Sequence, residues 1–294
     1  AIYAREDRYM TTHGTLRLRG LKYLPCPCPV CEKIDPRDLT EMPKGERTKI
    51  LAFHNLYVSL AEIRRIKQAI VEGRLWEHLE LRAHGHPALL QALKNLRKYQ
   101  TYLEKNSPIT KNSGLFFFGP LSLIRPEVFR HKKRLSESYS PPKGAEVLLL
   151  LPQTPMKPFH KSREHQRMMK GLQRKLGHGM EAIHVCTYAT PFGIVPQELD
   201  EVYPLSQYEI AFPLDKEIIA YTAKQVATYI AAGSYRKVVL LQDAEVWGRK
   251  IAAACRKACK KGGIHLKVVG DHEPWTKAVL NSLMGALQEA LSPK

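Results

Sequence analysis

The chain has 294 residues, 44% of them hydrophobic, which is enough to build two cores or one large one. Its 46 Lys and Arg against 28 Asp and Glu leave a formal charge of +18, an excess that repels itself unless a polyanion is the working partner. The charge-rich surface of a thermophile would enrich Glu along with Lys, so the asymmetry favours nucleic acid.

No apolar run approaches the roughly 18 residues of a bilayer span, and the opening "AIYARED" lacks the profile of a signal peptide. A cytoplasmic protein with no membrane partner is expected. Six cysteines in so long a chain, without an export signal, read as metal ligands and buried small residues rather than a disulfide framework.

In chain order, residues 1–24 carry short alternating apolar stretches and no core of their own, as in the trailing edge of a larger body. "PCPCPVC" then places Cys26, Cys28 and Cys31 in a C-x-C-x-x-C spacing. Three thiolates so close can face one point, and Zn²⁺ takes four N or S ligands at tetrahedral corners. Pro25, Pro27 and Pro29 limit the freedom of this loop and so lower the entropy lost on closing a site. The spacing also suits a redox switch or half of an iron–sulfur site, and it does not itself fix a fourth ligand. His54, expected to open a long helix in "LAFHNLYVSLAEI", is a better candidate than Cys255 and Cys259, whose i, i+4 spacing on an Ala-rich helix suits buried small residues.

From about 52 to 105 the pattern is helical. Leu56, Leu60, Ile63, Ile66 and Ile70 recur at steps of three and four and make one apolar stripe, leaving Arg64, Arg65, Lys67 and Gln68 wet. A second helix is expected over 87–104, with Leu89, Leu90, Leu93, Leu96 and Leu103, and "EKNSPITKNSG" (104–114) reads as a linker. Beyond it, strand-like runs at 146–152, 183–188, 236–242 and 264–269 alternate with helical stretches at 162–178, 217–232, 244–261 and 275–291. That alternation predicts βαβ units and a largely parallel sheet covered on both faces, a three-layer α/β/α domain. No G-x-G-x-x-G or Walker A sequence follows any strand, so a nucleotide cofactor has no support.

The helix after Ser162 is expected to show Arg163, Arg167, Lys170 and Arg174 on one face and His165, Met169, Leu172 and Leu176 on the other. Such a basic row suits phosphate contacts, which position RNA without reading it, and equally a solvated face.

"CPCPVC" followed by "LAFHNLYVSLAEIRRIKQAIVEGRLWE" resembles the zinc-binding segment of tRNA-guanine transglycosylases, in which three cysteines and a histidine in an H-N-L-Y context bind zinc. "GTLRLRGLKYLPCPCPVC" and "FGIVPQELDEVYPLSQYEI" are similar to the archaeal, archaeosine branch of that family. The resemblance implies one structural Zn²⁺ on Cys26, Cys28, Cys31 and His54. It also implies a role in exchanging guanine at position fifteen of tRNA for 7-cyano-7-deazaguanine. In the family an aspartate attacks the ribose C1′ and a second serves as acid and base. Both belong to a TIM barrel preceding the zinc segment, and no position here matches them.

The implied organisation is a noncatalytic C-terminal portion or separate subunit. Residues 1–110 would form a barrel-edge segment with the zinc-binding helical region, and 111–294 the three-layer domain. Its implied partners are tRNA and a catalytic barrel chain, in a hetero-oligomer with two of each chain. A third general reading is a zinc-stabilised RNA-binding module without such a partner.

"LPQTPMKPFHKSREH" (151–165) resembles the signature of archaeosine synthase, a paralogue that transfers lysine to the cyano base in tRNA. Pro152, Lys157, Pro158, Ser162 and His165 match it, while Phe159 replaces a tyrosine and Gln153 replaces a cysteine nucleophile. An amide cannot act as a thiolate, so the shared frame implies a common α/β domain resembling uracil-DNA glycosylases. Ser162 is equally suited to capping the helix that follows.

Overall fold

The computed structural model describes residues 2–292 and divides into two compact units between Asn95 and Leu96. In the first unit, a short helix α1 (Ile2–Arg5) leads into an antiparallel hairpin of β1 (Arg8–Thr11) and β2 (Gly14–Arg17). The cysteine loop follows, then α2 (Pro36–Glu41), whose Asp35 cap accepts from the Arg37 N–H at 2.8 Å while Pro36 supplies a fixed φ at the first helical position. The long helix α3 (Lys44–Val71) comes next and ends before Gly73 at φ +71. It is succeeded by α4 (Leu75–Ala83) and α5 (Pro87–Asn95).

Residues 1–24 have no core of their own: Ala4, Tyr9 and Leu18 are fully buried only in one cluster with Leu39 and Leu51. That core is shared: the hairpin supplies part, and α2 and α3 close it. Helix α3 begins eight residues before the expected start near 52, because "KGERTK" consists mostly of helix-competent polar residues with no apolar period to reveal them.

The apolar stripe of α3 faces outward. Leu56, Leu60, Ile63, Ile66 and Ile70 are 58, 46, 48, 37 and 56% exposed, whereas the buried side carries Leu51, His54, Asn55 and Ala69. Helix α4 is held to α3 through Glu62, which accepts from Arg82 at 2.5 and 2.7 Å and faces His78 at 3.1 Å.

The second unit begins with α6 (Gln100–Asn106), parted from α5 by a 3-10 turn, so the single helix expected over 87–104 is interrupted. The Arg130 guanidinium donates to the carbonyls of Glu104, Ser107 and Pro108 at 2.5 to 3.0 Å, fastening this segment to α7 (Pro126–Glu137). Strand β3 (Leu115–Phe117) lies between them in sequence. The remaining elements are β4 (Val147–Pro152), α8 (Arg163–Leu176), β5 (Ile183–Ala189), β6 (Gly193–Pro196), β7 (Tyr208–Ile210), α9 (Lys216–Ala232), β8 (Lys237–Leu241), α10 (Ala244–Trp247), α11 (Lys250–Gly262), β9 (His265–Val269) and α12 (Lys277–Leu291).

The main sheet has five strands in the order β6-β5-β4-β8-β9, parallel except for β6. Alternation along β4 sends Leu148 and Leu150 to one face, against Val226 and Ile230 of α9 and Ile251 and Cys255 of α11. Val147, Leu149 and Leu151 point to the other, against Met168 and Leu172 of α8 and Leu283 and Leu287 of α12. These are the three layers expected, and Cys255 and Cys259 are the buried small residues that the α11 pattern suggested.

The expected helix over 244–261 is cut at Gly248, whose φ of +56 no α-helix accommodates. Strand β6 and the parallel pair β3–β7 have no counterpart among the expected elements, because segments of three or four residues are too short to show a period.

Arg125, Glu127 and Lys111 form a buried ionic group beside β3. Lys111 Nζ lies 2.6 Å and Arg125 Nε 3.3 Å from the Glu127 carboxylate, and Arg125 Nη1 donates to the Phe116 carbonyl at 3.0 Å. Burial alone would raise the Glu127 carboxyl, but the charges of Arg125 and Lys111 outweigh it and hold it down at about 2. A depressed carboxylate stabilises the fold above its unfolded-state pKa and loses that contribution only as pH falls through the folded value. Glu127→Gln, which strands Arg125 in the interior, is expected to cost about 3–5 kcal/mol in chemical denaturation near neutral pH.

Candidate metal centre

Sγ of Cys26, Cys28 and Cys31 and a ring nitrogen of His54 all lie within 4.8 Å of one another. Three come from the Pro-punctuated loop, and the fourth from the third turn of α3 rather than its first, since that helix starts at Lys44. His54 Nδ1 is 3.5 Å from Cys28 Sγ and 3.3 Å from Cys31 Sγ. Tetrahedral zinc with Zn–S near 2.3 Å and Zn–N near 2.0–2.1 Å requires S···N separations of about 3.5 Å, so the donor set fits that ion in chemistry and spacing.

The surroundings select the tautomer. His54 Nε2 donates to the Met10 carbonyl at 2.9 Å, which leaves the Nδ1 lone pair facing the thiols. Tyr9 stacks on the imidazole at 3.8 Å between ring centroids and its hydroxyl lies 3.3 Å from Cys31 Sγ. Asn55, next to the ligand, accepts from the Met10 N–H at 2.8 Å and donates to the Arg8 carbonyl at 3.0 Å, so the helix grips β1 at two points. Tyr9 carried no signal in the sequence, whereas Asn55 stood beside His54 in the quoted tetrapeptide.

Burial pushes the His54 imidazolium down and favours the neutral ring that ligation needs, although the bond to Met10 works the other way. Burial also pushes the Cys31 thiol up to about 12. Burial raises Cys28 too, but its hydrogen bonds from the backbone and side chain of Cys31 and from the Val30 backbone outweigh this and bring it down. A cation at this point therefore displaces thiol protons, and its affinity must fall with pH.

The 152–165 segment lies after β4. Pro152 ends that strand, and Gln153 Oε1 accepts from the Thr190 N–H at 2.9 Å. The Lys157 ammonium sits 4.5 Å above the Tyr208 ring, and burial lowers its pKa despite Glu209. Phe159 is fully buried, in the place of a polar tyrosine. Ser162 caps α8 by accepting from the His165 N–H at 3.2 Å, the structural role foreseen for it. Burial pushes the His165 imidazole down to about 4.

Along α8, Arg163, Arg167, Lys170 and Arg174 are all exposed, and Arg167 also donates to the Trp275 carbonyl. The buried side is His165, Met168 and Leu172, so Met168 takes the buried place expected for Met169, and Met169 and Leu176 lie at the margin.

Residues 1–88 match the family model described as queuine tRNA-ribosyltransferase, and residues 128–287 match a domain of unknown function, DUF5591. The tRNA-guanine(15) transglycosylase of Methanocaldococcus jannaschii is 42% identical over 74% of this chain and 32% of its own length. That of Saccharolobus solfataricus is 36% identical over 90% of this chain and 48% of its own. The chain thus spans a third to a half of the length of these two relatives. One solved structure, a crystal structure of a protein of unknown function, aligns with a TM-score of 0.39 at 18% identity over 55% of this chain and 50% of that one, too low a likeness to carry an argument.

One equivalent of zinc is expected per chain by metal analysis, and Cys28→Ala should abolish it while lowering the stability of the first unit. Acidification from about pH 8 to 5.5 should release the metal to a chromogenic chelator, because protons compete for the thiolates.

Proposed function

The chain belongs to the archaeosine tRNA-guanine transglycosylase family, and we propose that it supplies the noncatalytic, zinc-bearing C-terminal portion of such an enzyme. In this reading Cys26, Cys28, Cys31 and His54 hold one structural Zn²⁺. Four protein ligands complete its coordination, so the metal braces the loop against α3 and leaves no position for substrate. Its worth to the first unit is of the order of 10–16 kcal/mol of binding free energy, as in small zinc-dependent folds.

The observation that carries the proposal is the outward stripe of α3. Five large aliphatic side chains, each worth about 1.5–3 kcal/mol on full burial, stand 37–58% exposed on one helix of a unit that also bears the family's metal ligands. A catalytic barrel carrying the two aspartates is the partner that fits this face. The complex would exchange guanine fifteen of tRNA for 7-cyano-7-deazaguanine, as a cytoplasmic hetero-oligomer with two of each chain.

Residues 1–110 then serve as the barrel-edge and zinc region, and 111–294 as the three-layer domain, a relative of the uracil-DNA glycosylase fold. The exposed row Arg163, Arg167, Lys170 and Arg174 contributes phosphate contacts to the tRNA. Gln153 supports a supporting rather than a lysine-transferring role, since it occupies the thiol position of the synthase signature and is engaged with the Thr190 backbone.

Guanine exchange into unmodified tRNA should require both this chain and a barrel-bearing transglycosylase chain. Leu60→Asp with Ile63→Asp should leave the chain folded and abolish co-elution with the barrel and exchange together. Robust exchange by this chain alone would sink the proposal.

A further inference from the structure

Helix α11 carries a denser concentration of positive charge than the α8 row. Residues 246–270 contain no Asp or Glu, and they hold Arg249, Lys250, Arg256, Lys257, Lys260, Lys261 and Lys267, seven of the charges behind the chain's net +18. The first six lie on α11 or at its cap and are all exposed, while Ile251, Ala252, Cys255, Ala258 and Cys259 anchor the opposite side of the helix in the core.

Helix propensity and dipole account for part of this composition only. Lys260 and Lys261, in the last turn before the left-handed Gly263 cap, offset the helix dipole. Arg249, Lys250, Arg256 and Lys257 are not placed to do so. Two like-charged pairs at i, i+4, Arg256 with Lys260 and Lys257 with Lys261, repel each other along the exposed face. Among the described residues none of the six is engaged by a carboxylate, whereas neighbouring Arg236 pairs with Glu146 at 2.5 Å and Lys267 with Glu289 at 3.4 Å. Surface cations elsewhere in this unit are thus partly neutralised, and those of α11 are left as a block.

The block has a defined shape. Positions 249, 256 and 260 and positions 250, 257 and 261 form two adjacent rows, and twelve steps of helix make a strip about 18 Å long. Two rows of cations, offset by about 100° around a rigid helix, present a broad positive face that complements a line of phosphates, which release counterions on binding. Helices α9 and α11 cover one face of the sheet and α8 and α12 the other, so this strip and the α8 row are separate surfaces with the sheet between them.

We propose that the exposed face of α11 is a second RNA-contact surface, binding the sugar–phosphate backbone through Arg249, Lys250, Arg256, Lys257, Lys260 and Lys261 without reading sequence. The proposal rests on the tRNA-modifying reading of the chain for the identity of the polyanion. It stands apart from that reading in its mechanism, which needs no barrel partner.

The test uses the full chain, unmodified transcribed tRNA, and binding isotherms between 50 and 200 mM KCl. Replacing Arg256, Lys257, Lys260 and Lys261 together by Gln keeps helix propensity and buried contacts, and thermal melting verifies the fold. The slope of log Kd against log salt should flatten by about 3, since each lost phosphate contact removes about 0.7–0.9, and affinity at 100 mM should fall at least about tenfold. Arg163→Gln with Arg174→Gln, on the other face, should flatten it by no more than about 2, and the two losses should add.

A wild-type slope for the α11 variant would overturn the proposal, as would binding confined to phosphatidylserine vesicles with none to tRNA. Exchange activity with the barrel chain, assayed in parallel, separates the two readings: its absence beside a flattened slope removes the transglycosylase role and leaves the RNA surface standing.

Discussion

The bond from His54 Nε2 to the Met10 carbonyl settles which nitrogen of the ring meets the thiols, and with it the arrangement of the whole first unit. Without it the imidazole could turn over. With it, the hairpin fixes the ring, the ring fixes the point to which the cysteine loop must come, and α3 carries the ring at a position set by Leu51 packing against Tyr9 and Leu18. Asn55, one residue on, repeats the grip on the same strand. The cluster that joins hairpin, α2 and α3 has only five fully buried side chains, and the convergence of three chain segments on one site adds to what so small a cluster can hold.

The second unit depends on a different economy. Its sheet buries both faces of β4 and β5 completely, so helices must supply two apolar surfaces, and their outer sides are free to be polar. The chain uses that freedom mostly for cations. Where charge is instead taken inside, as in Arg125, Glu127 and Lys111, the ions come with partners on every side and with a backbone carbonyl for the spare donor. One composition therefore serves two ends: paired ions that fix local structure, and unpaired ions that remain available to a polyanion.

Much of this was legible in the sequence, for physical reasons that differ by element. Long βαβ segments reveal themselves because strands buried on both faces read as continuous apolar runs such as "EVLLLLP", and the cysteine cluster because three thiols at such spacing suggest a metal, while His54 was assigned as the fourth ligand only through the family resemblance of its H-N-L-Y setting. The exposure of the α3 stripe was not legible. Period locates an apolar face but says nothing of what covers it, and here Leu56 to Ile70 face away from the unit's own core. The start of α3 escaped because polar helix formers leave no period, and the cut at Gly248 because one glycine in a helical pattern is ordinarily tolerated. Tyr9, stacked on His54, was out of reach entirely, since its role arises from a fold-back across more than forty residues.

The two borders of the five-stranded sheet are unlike. Strand β6 is four residues long, runs antiparallel and stops at Pro196, which has no N–H to offer a further strand. Strand β9 is fully parallel to its neighbour and would make an open template, but its exposed positions are His265 and Lys267, the latter held by Glu289 of α12. A charged side chain at mid-strand is costly to cover with another chain's backbone. The lysine excess evident in the composition thus has a use within the fold itself, guarding the sheet edge against edge-to-edge association.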